Sequence, residues 1–459
     1  MRKNICSLAI AYLACFAVGH AQVSLSPSLQ EAVSAGLEKS TKLKNQGLDL
    51  EKMELAEKEV KQKYLPRLSA IGGYAYFHNT LALDLPTTTL PLTGYPLFAG
   101  TTDFRNEGNG VLAGLTLKQV VFSGGQILNG AKALGEKKKG NALLLEASKE
   151  DIIKDIITSF DQLKLLDAAQ RLVSESEIRL KKETERVEKA ISLGLAIPYD
   201  RDKIKLARLE LDSKSAEIAG KRTVLYQKIE VLTGYDEERI KAVSYDLAPI
   251  KLDNSLSTDT RSELRAFGSF KNALNYNLKK EKGSLLPTIG AFAGYSYASI
   301  FNSSTSFKAP LTNTPIDLKL DRASLSPNWA AGIVMKWELF SGMERAHKIK
   351  EAKIDIQQLD NKRSEAKELM DLQLKNNMTN YAIALRKIDI ADQKEVIASN
   401  NLNAAEKQYH AGLIGISERL TAETDLYNAA MNKVEAAIDQ RKSALECYVA
   451  SGTLQQQLK

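Results

Sequence analysis

Four stretches of the chain alternate apolar and polar positions, and the long stretches between them repeat apolar positions every three or four residues. The first pattern has the two-residue period of a β-strand and the second has the period of an α-helix. The alternating stretches are 67–77, 111–122, 288–297 and 328–340. The last holds both tryptophans, Trp329 and Trp337, eight residues apart, with Ala331, Ile333 and Met335 on the same side. At roughly 3.3 Å per residue the two indoles stand about 26 Å apart. The apolar band of a membrane β-barrel is about 25 Å tall and is bordered by aromatic girdles. The spacing predicts a membrane-crossing strand with Trp329 and Trp337 anchored at opposite lipid interfaces.

Residues 28–63 are rich in Glu, Lys, Leu and Ala, which favour helix. Pro66 predicts the end of that helix, because the residue before a proline disfavours helical geometry. A helical pattern then runs from Gln126 to Leu193 and another from Tyr199 to Leu232, with a seam at Ile153, Ile156, Phe160, Leu163 and Leu166. At roughly 1.5 Å per residue the first of these is a rod about 100 Å long. No compact globule needs one, so a coiled coil or helical array is expected.

The same order occurs twice. "LPRLSAIGGYAY" (65–76) matches "LPTIGAFAGYSY" (286–297) at six of twelve positions, and "AGLTLKQVVFSG" (113–124) matches "AGIVMKWELFSG" (331–342) at six of twelve. The second offset, 218, also aligns Gly194 with Gly412, Arg201 with Arg419 and Gly234 with Gly452. Two structural repeats are therefore expected, at 22–234 and 261–459, joined by an irregular linker at 235–260. The segments 78–110 and 298–327 hold six of the eleven prolines and are expected to be loops at the outer end of the strands.

Composition adds a compartment. Arg2 and Lys3 precede the apolar run Ile5–Val18, and "GHA" at 19–21 supplies small residues, so 1–21 is expected to be a secretory leader. Lipidation at Cys15 is the alternative, weakened by Tyr12 in "YLAC". Cleavage after Ala21 lowers the formal charge from +7 to +5, a mild and interspersed excess that gives no reason to expect nucleic acid. It also leaves Cys447 as the single cysteine, so no intramolecular disulfide is expected. No later run of 18 apolar residues offers a transmembrane helix. A membrane crossing must then be a closed barrel. Four strands cannot close one, since the smallest membrane barrels have eight. The sheet must be shared between copies, and three copies supply twelve strands with room for a water-filled bore. Catalysis finds no support: His78, His347 and His410 are scattered, and no zinc spacing, phosphate loop or nucleophile elbow occurs. Neither an enzyme nor a cofactor is expected.

The repeated order of helix, "YLP", strand pair, "FSGG" or "FSG", very long helix, glycine tip and closing helix resembles the TolC-type outer-membrane efflux proteins. The segment "YHAGLIGISERLTAETDLYNAA" (409–430) is particularly similar to that family's second hairpin tip. The resemblance spans essentially the whole chain after the leader. It implies a mainly α fold with four membrane strands per chain, as a homotrimer whose twelve-stranded barrel continues into an α-helical periplasmic barrel. It also implies docking to a periplasmic adaptor and an inner-membrane transporter, and conduction across the outer membrane of a Gram-negative cell without chemistry. Small-molecule efflux is preferred to type I protein secretion. A secreted trimeric coiled-coil scaffold and a free diffusion porin remain as rivals. The scaffold leaves the alternating strands unexplained, and the porin leaves the rods unexplained.

Lys118 and Lys336 occupy equivalent positions four residues before Phe122 and Phe340. A lipid-facing lysine at mid-membrane costs about 2–4 kcal/mol, so both are expected in the bore. The alternative is that they neutralise acids such as Glu338 or sit at the junction of barrel and helices. Gly194 and Gly412 turn the hairpin tips, and the resemblance implies adaptor docking there, with Leu195 and Leu413 exposed beside them. It also places Asp200 and Glu418 at the periplasmic entrance. Lys203, Thr421 and Ile414 stand where further gating groups of the family occur, so a double acidic ring and an arginine contact are not expected.

Overall fold

The computed structural model describes residues 25–253, 255–310 and 312–457. The expected leader, with Arg2, Lys3, Cys6, Cys15 and Ala21, lies outside them. The chain forms two compact units: Met1–Glu51, Lys139–Ser269 and Leu359–Lys459 make one, and Lys52–Lys138 with Phe270–Gln358 make the other. The elements are α1 (Pro27–Lys39), α2 (Thr41–Lys61), β1 (Arg67–Thr89), β2 (Pro96–Phe122), α3 (Gln126–Ser192) and α4 (Pro198–Thr233). After them come α5 (Glu237–Ala242), α6 (Ser262–Gly283), β3 (Thr288–Lys308), β4 (Pro315–Lys336), α7 (Glu344–His410), α8 (Ile416–Ser451) and α9 (Leu454–Gln457). No described helix is long and apolar enough to cross a membrane.

The repeat is metrically strict. Both α3 and α7 have 67 residues, and both α4 and α8 have 36. Val173, Leu180 and Val187 in α3 and Ile204, Leu211 and Ile218 in α4 are buried in one cluster at steps of seven. Seven-residue steps are the signature of coiled-coil packing. Ala384, Ala391 and Ala398 give α7 a buried seam of the same step, made of small residues. The predicted seam at Ile153, Ile156, Phe160 and Leu163 is buried, and Leu166 packs against it.

One helix predicted over 28–63 is two, because the backbone leaves helical geometry at Ser40. Its hydroxyl accepts from Leu43 N–H at 3.3 Å and caps the second helix. The linker at 235–260 is irregular except for α5, which starts where Asp236 accepts from Arg239 N–H at 2.9 Å. Side chains from distant helices hold this linker down. Gln440 accepts from Ile250 N–H at 3.0 Å and donates to its carbonyl at 2.6 Å, and Tyr448 donates to the Lys251 carbonyl at 3.0 Å. Arg441 donates to buried Asp161 at 2.9 Å and to the Ala248 carbonyl, while Tyr245 donates to Asp161 at 2.7 Å. Burial and the adjacent Asp161 carboxylate push the Tyr245 phenol far above its ordinary value.

The sheet is an antiparallel meander in the order β1-β2-β3-β4. Its strands have 21 to 27 residues, so most of the two segments expected to be loops is strand. The true turns are only 90–95 and 309–314, each closed by paired backbone hydrogen bonds, with Gly94 and Asn313 in the left-handed region. Prolines had marked these segments as loops, but they sit where a sheet tolerates them. Pro96 and Pro315 begin strands, and Pro86 and Pro327 lie on the outer strands at breaks of register. A residue without an N–H costs no ladder bond at such places. At the other end β4 stops at Lys336 rather than Phe340. Its last pair is with Thr288, just after Pro287, so β3 offers nothing further to pair with. Trp337 therefore leaves the strand, and its indole N–H donates to the Leu285 carbonyl at 3.2 Å.

Glu150 in α3 is nearly buried, and accepts from the Gln455 N–H of α9. Burial pushes its carboxyl up from 4.5 to about 7, with Glu263 and Asp151 adding and Arg261 opposing. A raised folded value means that the carboxyl favours the fold below about 4.5 and loses that advantage as pH rises toward 7. Glu150→Gln is thus expected to raise the unfolding temperature at pH 8 and leave it nearly unchanged at pH 4, as thermal melts would record.

Candidate functional site

Paired residues of a sheet share a face, so the register assigns every strand residue a side. One face carries Leu68, Leu117, Ala293 and Ala331 on one rung and Ala70, Leu115, Tyr295 and Trp329 on another. Ile333 and Met335 extend it toward the helices, and Tyr74, Tyr76 and Tyr297 lie on the same side toward the turns. Apart from the alanines these side chains are large, and most of them are exposed, Trp329 at 72% and Ile333 at 77%. The face is a continuous apolar band edged by aromatics.

The opposite face is different. The rung Arg67, Lys118, Phe292, Gly332 places two cations side by side, and Lys336 stands on the same face opposite Thr288. This register puts Lys118 and Lys336 on one side of the sheet and Leu117 and Met335 on the other. Among the described residues Arg67, Lys118 and Lys336 enter no ion pair, so Glu338 does not neutralise Lys336. Farther along, Gly73, Ala75, Leu112, Ala298, Ile300 and Leu325 line a shallow hollow. Arg67 escaped the sequence argument because its repeat partner is Thr288, so no duplicated cation marked it. The position directly after the proline of "LP" would have suggested the same side as Lys118 only with the register known.

The meander leaves two edges. Among the described residues no strand pairs with the outer side of β1 or of β4. Each presents a row of backbone N–H and C=O groups, the kind of edge that recruits another chain.

The two hairpin tips are copies. Gly194 N–H donates to the Ile191 carbonyl and Leu195 N–H to the Ala190 carbonyl, and Gly412 and Leu413 repeat this to Tyr409 and Gln408. Gly194 and Gly412 have φ of +73° and +72°, which a side chain would strain. Leu195 and Leu413 project into solvent, 79% and 74% exposed. Asp200 and Glu418 occupy equivalent sites in the first turns of α4 and α8. The Asp200 carboxylate accepts from Ile197 N–H at 3.3 Å, a capping contact that favours an acid there whatever else it does.

The repeat breaks at the next residue. Arg201 is exposed and pairs with Asp202 at 2.9 Å. Arg419 is 1% exposed and its Nη2 lies 3.3 Å from Glu406 and 3.5 Å from Glu423. Arg179 of α3 donates to Glu423 at 2.8 Å. This ionic knot ties α3, α7 and α8 together below the tips. Sequence reasoning aligned the two arginines without separating their roles, since burial is a tertiary property.

Comparison with known proteins gives the fold. Residues 255–453 match the family model described as outer membrane efflux protein. No curated protein matches the sequence. Among solved structures the chain is similar to CusC, a transmembrane channel, at 15% identity and TM-score 0.74, covering 94% of this chain and 93% of that one. It is also similar to the Campylobacter jejuni CmeC outer membrane channel, at 14% identity and TM-score 0.69, covering 93% and 86%. The Vibrio cholerae outer membrane protein VceC follows at 15% identity and TM-score 0.66, covering 92% and 96%. The second half carries the family's pattern, and the whole chain carries the fold of these channels. Residues 255–453 are thus similar to outer membrane efflux proteins, and the fold is that of TolC-like outer-membrane channels.

Proposed function

We propose that three copies pair β4 of one chain with β1 of the next and so close a twelve-stranded barrel. The closed barrel is the outlet of a tripartite efflux system. One observation carries this: a four-stranded antiparallel sheet with two open edges and an apolar, aromatic-edged face. In lipid each unpaired edge group costs several kcal/mol, and ring closure removes every edge. The apolar face meets lipid, with Trp329 and Trp337 near the two interfaces. The face bearing Arg67, Lys118 and Lys336 lines the bore. Substrates pass from an inner-membrane transporter through a periplasmic adaptor and out, and the channel performs no reaction on them. The family's description as efflux proteins favours small molecules over secreted protein. The experiment is single-channel recording of the reconstituted protein. A stable ion-conducting pore supports the reading, and lipid-bound protein without conductance refutes it.

Two sites follow from the reading. The cations of the bore favour anions, so Lys118→Glu with Lys336→Glu is expected to shift the reversal potential under a salt gradient toward cation preference. The tips, with Gly194, Leu195, Gly412 and Leu413, dock the adaptor, and Asp200 and Glu418 ring the periplasmic entrance. Leu195→Asp with Leu413→Asp is expected to abolish adaptor pull-down and efflux-dependent resistance while assembled protein remains in the outer membrane. Retained resistance at normal protein levels would remove the docking assignment.

A further inference from the structure

The polarity of the sheet inverts along its length. Near Lys118 most large apolar side chains lie on the face of Leu115 and Trp329, and the opposite face carries Arg67, Lys118, Lys336 and several glycines, with Phe292, Ile71 and Val334 among them. Toward the turns the same two faces exchange character. The β1–β2 register is unbroken from Arg67 opposite Lys118 to Leu85 opposite Gly100, so side assignments carry through. Over this stretch the face of Leu117 bears Asp84, Asp103, Arg105 and Glu107. The face of Lys118 bears Leu81, Leu83 and Phe104 instead. Phe98, Phe104 and Phe307 are in mutual contact, with ring centroids 5.2 to 5.8 Å apart, which places all three on that side. Ile316 pairs with Phe307 and joins them.

A segment whose charged face points outward and whose apolar face points away from it has left the lipid. Phe307 is buried against Phe98 and Phe104 within the single chain, and the apolar side chains around this cluster are not. Leu81 and Leu318 are still half exposed or more in the single chain, so their cover comes from the assembly. We propose that Phe98, Phe104 and Phe307 of three chains form an apolar narrowing of the bore near its outer end, which lets small ions through but slows larger charged solutes at rest. This rests on the assignment of the Lys118 face to the bore. Phe104 lies 14 residues from Lys118 along β2, about 46 Å of strand, so the constriction is separate from the cationic rung. Apolar narrowings disfavour charged solutes because they wet poorly. Cargo with apolar surface pays no such penalty and passes when driven from the periplasmic side.

The test uses single cysteines in the full-length protein in porin-deficient cells, labelled from outside with a charged, membrane-impermeant methanethiosulfonate. Thr116→Cys sits on the bore face beyond the constriction, and Leu115→Cys next to it faces lipid. Native Cys447 is buried and its thiol pushed up to about 12, so it does not compete. Thr116→Cys should label slowly with the phenylalanines present, and about tenfold faster when Phe104→Ala and Phe307→Ala open the apolar passage. Phe104→Gln, which keeps the bulk and adds polarity, should give acceleration in the same direction if the double variant assembles poorly. Equal rates for Thr116→Cys in all backgrounds, fast or slow, overturn the constriction. Labelling of Leu115→Cys in place of Thr116→Cys overturns the face assignment itself.

Discussion

Ile333→Lys is expected to cost about 2–4 kcal/mol per copy, because its side chain lies in the apolar face near the middle of the lipid band. Three copies share one barrel, so the loss repeats at each interface and assembled protein should largely disappear from the outer membrane. Val334→Lys, one residue on, moves the same charge to the face of Lys336 and Gly332. It should assemble at near-parental levels and alter conductance instead. Heat-modifiable migration on gels, with urea unfolding in lipid vesicles for the survivors, separates the two outcomes. Equal tolerance of both lysines would mean that the sheet does not sit in lipid as assigned.

The second large effect is expected at the linker. Asp161→Asn leaves the Arg441 guanidinium buried with its carboxylate partner gone; the two side chains are 2% and 6% exposed. Removing one member of such a pair costs about 3–5 kcal/mol, since the other charge stays desolvated. The Tyr245 and Ala248 contacts loosen with it, so 235–260 should become the first segment cut by protease. The triple change Asp161→Leu, Arg441→Leu and Tyr245→Phe removes the charges together and should recover much of the stability. Measured unfolding of the single and triple variants checks both statements. A triple variant as unstable as Asp161→Asn would show that the network holds the linker through its hydrogen bonds rather than through charge compensation.

These cases show what the chain declares locally and what it does not. The long helices were legible because α3 and α4 carry seven-residue steps of Val, Leu and Ile, and because duplication repeats the same lengths at an offset of 218. The apolar halves of the strands were legible because alternation is clean where one face is apolar and exposed. Their outer halves were not, since Asp84, Asp103 and Asp321 together with six prolines carry the composition of a loop. Only the pairing reveals that the prolines fall at strand starts, turns and breaks of register on outer strands. Arg67 and Arg419 were missed for a related reason. One gains its meaning from a cross-strand neighbour and the other from burial. The Asp161–Arg441 pair joins residues 280 apart, and nothing near either one signals the other.

Closure of the sheet between copies is the claim on which the bore, the lipid face and the constriction depend. Native mass spectrometry of the protein released from lipid nanodiscs measures it directly. The account predicts a single dominant species of three chains that survives mild collisional activation, with no stable monomer or dimer in lipid. A lipid-embedded monomer would contradict it, because the edges of β1 and β4 would then have to be satisfied some other way.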